Sequence, residues 1–151
     1  MSGVWKPHAT VAAVIHRDGK FLLVREKIEG RVVLNQPAGH LEDKETLIEA
    51  VEREVAEETA WKFQPTGVLG IYLWRHPRYG HTHMRTTFVG DVSDHNPKQK
   101  LDAPIIDAAW YTRDELTKNR RDLRSNLVLA RIDDFLTAAC YPLDMLRSVA
   151  S

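Results

Sequence analysis

From Thr10 the chain reads Thr-Val-Ala-Ala-Val-Ile-His, β-branched and apolar. Asp18-Gly19 then supplies a tight turn, and residues 20–26 place Phe-Leu-Leu-Val between charged ends. This pattern predicts a strand, a turn and a returning strand. A second turn signal at Glu29-Gly30 precedes Arg31-Val-Val-Leu-Asn, and Pro37-Ala38-Gly39 breaks the pattern, so a helical segment is entered from a loop. Within residues 45–59 the apolar Leu47, Ile48, Val51 and Val55 fall on one helical face, with carboxylates crowding the opposite side. Strand-like patterns return after Pro65 at residues 67–74 and 84–92, joined by a Pro- and Gly-containing connection over 76–83. Residues 105–112 read as a last short strand and Asp114-Glu115-Leu116 as a helical turn. Residues 126–139, with Leu127, Val128, Ala130, Ile132, Phe135 and Leu136, read as an amphipathic helix. Mixed strands and helices predict an α/β or α+β fold, in a single domain over 1–151 without repeats or linkers.

Composition narrows the partners. A chain of 151 residues that is 43% hydrophobic has enough apolar content for one core. Its 21 basic and 21 acidic residues cancel, leaving no global field to hold nucleic acid or an anionic membrane, so any phosphate recognition must be local. No stretch approaches the roughly 18 apolar residues of a membrane span, and the N-terminus offers no apolar segment of signal-peptide length. The expected location is the cytoplasm. The lone Cys140 cannot form an internal disulfide, and its apolar, helix-like surroundings predict a packed small side chain.

Local charge is more telling. Between positions 42 and 58 the acids Glu42, Asp43, Glu45, Glu49, Glu52, Glu54, Glu57 and Glu58 face only Lys44 and Arg53. Carboxylates early in a helix are favoured by its dipole, so Glu45 and Glu49 need no special cause. Glu57 and Glu58 stand in the last turn, where the dipole opposes them, and Glu54 and Glu58 repel each other at i,i+4. Arg53 can neutralise one of these acids, but it points about 100 degrees away from Glu54, leaving Glu54, Glu57 and Glu58 for another cation. An all-oxygen set of this kind suits magnesium or manganese. A charge run on a helix is ordinarily just a solvated face, and spacing alone does not overturn that.

A motif does. From Gly39 the chain has five residues, Glu45, seven residues, then Arg53-Glu54-Val55-Ala56-Glu57-Glu58-Thr59-Ala60-Trp61. This resembles the Nudix box, G-x5-E-x7-R-E-U-x-E-E-x-G-U with U apolar, at every defined position but two. The resemblance implies an αβα sandwich with a mixed central sheet, the box forming a loop, a helix and a loop. It implies a metal site made of the Gly39 carbonyl and the Glu54, Glu57 and Glu58 carboxylates, with Arg53 orienting them and Glu45 supporting Arg53. Glu54 or Glu57 is the expected general base. The two departures are Ala60 in place of glycine and Trp61 in place of an aliphatic residue. Alanine reaches a left-handed helix exit only at a cost of roughly 1 kcal/mol, which concerns local shape and not ligands.

Outside the box, Lys6-Pro7-His8, residues 35–42, Leu123-Arg-Ser-Asn-Leu-Val and Tyr141-Pro-Leu are similar to a bacterial phosphatase branch of that family. This implies substrates among nucleoside di- and triphosphates and thiamine-pathway pyrophosphates such as hydroxymethylpyrimidine pyrophosphate. Substrate contacts are expected from the base- and aromatic-rich segment 74–85. Arg85, whose guanidinium forks onto two oxygens, is the first candidate at the start of its strand, with Trp74 for stacking and His83 as a further contact. Zinc is disfavoured because His81-x-His83 lacks cysteine partners. Asp102 and Asp107 read as loop or strand-end acids. Two other functions compete with a small-metabolite hydrolase. A non-cleaving nucleotide sensor is expected to lose a box carboxylate, and none is missing; an RNA 5'-end pyrophosphohydrolase needs a basic surface, which the charge balance does not supply. The expected state is a monomer.

Overall fold

The computed structural model describes residues 3–149. Strand β1 (His8–Arg17) and strand β2 (Lys20–Ile28) form the expected hairpin around Asp18-Gly19, both with positive φ. Strand β3 (Arg31–Asn35) returns along β2. Chain order continues with β4 (Ala38–His40), helix α1 (Leu47–Thr59), β5 (Lys62–Arg75), β6 (Thr82–Ser93), β7 (Ile105–Tyr111), α2 (Arg113–Lys118) and α3 (Leu127–Thr137). The main sheet order is β3-β2-β1-β6-β5, with β4 on β1 and β7 on β2. The β1–β6 pairing is parallel and the others are antiparallel, so the sheet is mixed.

Alternation along β1 and β2 explains why both read as continuous apolar runs: each is covered on two faces. Val11, Ala13, Ile15 and Leu22 pack with Ala50, Val51 and Val55 of α1. Val14, Phe21 and Leu23 pack with Val128, Leu129 and Ile132 of α3. The result is the αβα layering expected from the motif.

Four differences from the sequence reading have clear causes. The break at Pro37-Ala38-Gly39 contains a short strand, β4, which pairs Ala38, Gly39 and His40 with Ala12, Val11 and Thr10; its small residues hid it. Strand β5 begins before Pro65, not after it. It is an edge strand, where proline is tolerated, and its register shifts between Pro65 and Gly67. Opposite this bulge Gly90 has no room for a side chain, since a β-carbon there would lie 2.2 Å from the Gln64 carbonyl oxygen. Arg85 lies inside β6, not at its start, because β6 begins at Thr82. Finally, α3 ends at Thr137 and Cys140 is exposed. The chain there leaves the helix to bridge Tyr141 with Val68, and Leu143 and Leu146 then pack on the α1 core. No helix among the described residues is long and apolar enough to cross a membrane.

Candidate active site

Helix α1 starts two residues later than its charge pattern suggests. Thr46 is the cap: its hydroxyl accepts from Glu49 N–H while the Glu49 carboxylate accepts from Thr46 N–H. This reciprocal box satisfies two otherwise orphaned donors. Glu45 therefore lies outside the helix, free to reach back over its surface, where it receives Arg53.

All five guanidinium donors of Arg53 are engaged. Nε donates to Glu45 Oε2 at 2.6 Å, and Nη2 donates to Glu45 Oε1 at 2.9 Å and to the His40 carbonyl at 3.0 Å. Nη1 donates to Glu54 Oε1 at 2.8 Å and Glu57 Oε2 at 3.2 Å. The expectation that Arg53 points away from Glu54 is thus corrected. Successive Cβ atoms do diverge on a helix, but the long arginine side chain curls back and bridges both carboxylates. Its charge is strongly reinforced, with the bond to Glu45 the largest cause, and Glu45 is in turn held below the usual carboxylate range.

Strand β4 brings the backbone to the same carboxylates. A β-carbon on Gly39 would lie 2.1 Å from Glu54 Oε1, so only glycine allows the two to meet. Glu58 accepts a hydrogen bond from Ala38 N–H at 2.8 Å. Burial is the first cause raising the carboxyl pKa of Glu54, Glu57 and Glu58, and Glu58 is pushed up to about 8. Neighbouring acids add to it, among them the exposed Asp102, whose backbone N–H donates to the Glu57 carbonyl. Asp107 takes no part, being paired with Arg25 across β2 and β7.

Among the described residues no three His, Cys, Asp or Glu side chains gather as a ready-made metal cluster. Glu54 and Glu57 are held by Arg53, and Glu58 by a backbone N–H. The donor chemistry nevertheless fits a hard divalent cation. Half-buried carboxylates with raised pKa values, beside a glycine backbone approached without a side chain, are short of positive charge.

Beside this face opens a cavity of about 510 Å³ lined by Ala38, Gly39, Trp74, His83 and Arg85, so the three substrate candidates share one space with the box glycine. Arg85 Nε donates to Thr10 Oγ1 at 2.9 Å. Burial lowers its pKa to about 10, and the acids Glu58, Glu26 and Glu54 act on it from around the cavity. His83 is pushed down to about 4 by burial and by Arg85, so its imidazole is neutral, and its Nδ1 has no partner. Residues that sequence reasoning passed over also line the cavity: Glu26, Arg124 and Arg131. Arg124 lies in the segment singled out by similarity, but Arg131 carried no signal, since a basic residue on an amphipathic helix reads as solvated.

The box's end behaves as its composition implies. Ala60 caps α1 in the left-handed region at φ 62° and ψ 17°, its N–H donating to the Ala56 carbonyl. Trp61 packs on the α1 core, stacks on His95 and meets Trp110 edge-on, which occupies the place of a smaller aliphatic residue.

A sequence profile of the NUDIX domain matches residues 6–131. The chain belongs to the Nudix family. Nudix relatives include proteins named Phosphatase NudJ from Shigella boydii (strain Sb227), 40% identical, and Escherichia coli K12, 39% identical. Each alignment covers 95% of this chain and 92% of the relative. A Nudix hydrolase structure from Nitrosomonas europaea superposes with a TM-score of 0.93 at 46% identity, covering 95% of this chain and 98% of that one. The protein is therefore a hydrolase with the Nudix fold. Nudix hydrolases generally use divalent metal ions and act on small-molecule phosphate substrates.

Proposed function

We propose that the protein hydrolyses phosphoanhydride bonds in small metabolites, as a phosphatase acting on nucleoside di- and triphosphates and on pyrophosphate monoesters such as hydroxymethylpyrimidine pyrophosphate. The carrying observation is the shared cavity: Arg85, Trp74 and His83 face the same space as Gly39, which abuts Glu54. The 39–40% identity to the NudJ phosphatases over 95% of the chain supports the substrate class.

A phosphoanhydride resists attack because its oxygens are negatively charged. Glu54, Glu57, Glu58 and the Gly39 carbonyl would hold magnesium or manganese, which when bound offsets phosphate charge and acidifies a water. Arg53 keeps Glu54 and Glu57 aimed, and Glu45 keeps Arg53 aimed. Glu54 or Glu57 accepts the proton of the attacking water; burial raises the carboxyl pKa of both, which favours proton uptake. Arg85 forks onto phosphate oxygens, Trp74 offers an indole face to the organic ring, and the neutral His83 hydrogen-bonds without adding charge.

The experiment is a panel of nucleotides, hydroxymethylpyrimidine pyrophosphate and thiamine pyrophosphate, with products separated and identified. Orthophosphate release, with the pyrophosphate monoesters among the best substrates by kcat/KM, is the expected result. Tight nucleotide binding without product would assign the chain to the sensor class instead.

A further inference from the structure

Arg131 of α3 is only 1% exposed, and its Nε and Nη1 are buried without any acceptor. Its surroundings do not balance its charge. The charged group that acts on it most is another guanidinium, Arg85, and the Tyr72 hydroxyl, which also acts on it, already donates to Asp134 at 2.6 Å. Glu26 shares the cavity, but its carboxylate is paired with Arg124 at 3.8 Å and also feels the charge of Arg85. Burial pushes Arg131 down to about 9, with Arg85 adding to the effect. A buried cation without a carboxylate is costly, and cores ordinarily replace it with an apolar side chain.

The position gives this cost a purpose. Arg131 comes from α3, Arg85 from β6 and Arg124 from the segment before α3, and all three line the same cavity. Arg85 feels the charge of Glu58, Glu26 and Glu54 as well as that of Arg124, so the carboxylates and the guanidinium groups act on one space. An anion entering this cavity would meet the guanidinium groups of Arg85, Arg124 and Arg131.

We propose that Arg131, together with Arg85 and Arg124, forms an anion subsite that receives the unesterified terminal phosphoryl group of the substrate. This rests on the phosphoanhydride reading above and deepens it. Arg131 is then a specificity-determining residue, favouring diphosphates with one free end over diphosphates esterified at both ends. A terminal phosphoryl group carries more charge and more free acceptor oxygens than an internal one, which is what unpaired guanidinium donors select.

The test begins with metal-free protein in chelator, titrated with inorganic phosphate and pyrophosphate by calorimetry and by thermal shift. Wild type binds and its Tm rises. Arg131→Met binds at least about tenfold more weakly, and its Tm without phosphate equals or exceeds that of wild type, because an unpaired buried charge is gone. Arg131→Lys keeps the charge but loses the planar donor set, so it folds and binds several-fold more weakly; it serves if the methionine variant fails to fold. Arg113→Ala, which breaks an ion pair with Asp133, binds phosphate as wild type does. Unchanged phosphate affinity in both Arg131 variants overturns the proposal. So does a lower Tm in Arg131→Met without any change in phosphate response, which marks a structural role.

A second arm compares kcat/KM, with metal, for a pyrophosphate monoester and for a diphosphate esterified at both ends. Arg131→Met narrows the preference at least about tenfold, chiefly through KM for the monoester. If hydrolysis persists with the preference unchanged, the subsite falls and the hydrolase reading stands. If phosphate binds through Arg131 but no diphosphate is cleaved, the subsite stands and the hydrolase reading falls.

Discussion

The carboxylate of Glu54 lies against the α-carbon of Gly39, so closely that a β-carbon at residue 39 would sit 2.1 Å from Glu54 Oε1. Their sequence separation is bridged by β4, whose pairing with β1 carries the Gly39 backbone to the flank of α1. The relationship joins a sheet edge to a helix face at the point where the cavity opens, and it makes the glycine a steric requirement of the site.

Gly39→Ala should therefore displace Glu54 while leaving the sheet intact, since β4 keeps its backbone pairing. A misplacement of about 1 Å at a reacting centre can cost on the order of 100-fold in rate. The expected outcome is a fall in kcat of that order with an unchanged circular dichroism spectrum, measured by phosphate release under saturating substrate.

Glu45 makes no contact with the cavity, yet it receives two of the five Arg53 donors. Glu45→Gln removes the charge and one acceptor oxygen, loosening the guanidinium that holds Glu54 and Glu57. Partners behind metal ligands typically matter by 10- to 100-fold, so the concentration of magnesium giving half-maximal activity should rise by about that factor. A metal titration of activity checks it.

Glu57→Gln should abolish most turnover while the fold persists, because the apolar face of α1 that packs on the core is untouched. Near-normal activity would remove Glu57 from the proposed ligand and base set. Thermal melts of the variant should stay within about 0.5 kcal/mol of wild type, as for a substitution away from the core.

Glu58 gives a pH signature. Its carboxyl is raised from 4.5 to about 8 in the folded protein without metal. Between those values the folded state holds a proton that the unfolded chain has released, so stability is greatest at the acid end and falls as pH rises toward about 8. Denaturant midpoints in chelator should show this decline, and Glu58→Gln should flatten it. Bound magnesium favours the charged form and should stabilise the protein more as pH rises.

The helix and the paired early strands were legible because periodicity and turn chemistry act locally, whereas the αβα layering followed from the resemblance of the box to the Nudix family. The box acids were legible from local charge: Glu57 and Glu58 oppose the helix dipole in the last turn, and Glu54 repels Glu58 at i,i+4. The Arg53 bridge to Glu54 was misread because side-chain direction at Cβ does not fix where a long guanidinium ends. Strand β4 was hidden because Ala38 and Gly39 have weak strand preference and form it only by pairing with β1. Arg131 was invisible because its burial depends on α3 docking over the cavity, a long-range event that leaves no periodic trace. The position of Arg85 depended on how far β6 extends beyond its apolar stretch, which the neighbouring β1 pairing determines.

Metal-assisted cleavage of a phosphoanhydride at the α1 carboxylates is checked by phosphate release from hydroxymethylpyrimidine pyrophosphate and nucleoside triphosphates with magnesium, then with excess chelator. Turnover should be present with magnesium, lost in chelator and regained when magnesium is restored. Turnover that survives chelation undiminished, or none on any diphosphate with magnesium or manganese present, would contradict it.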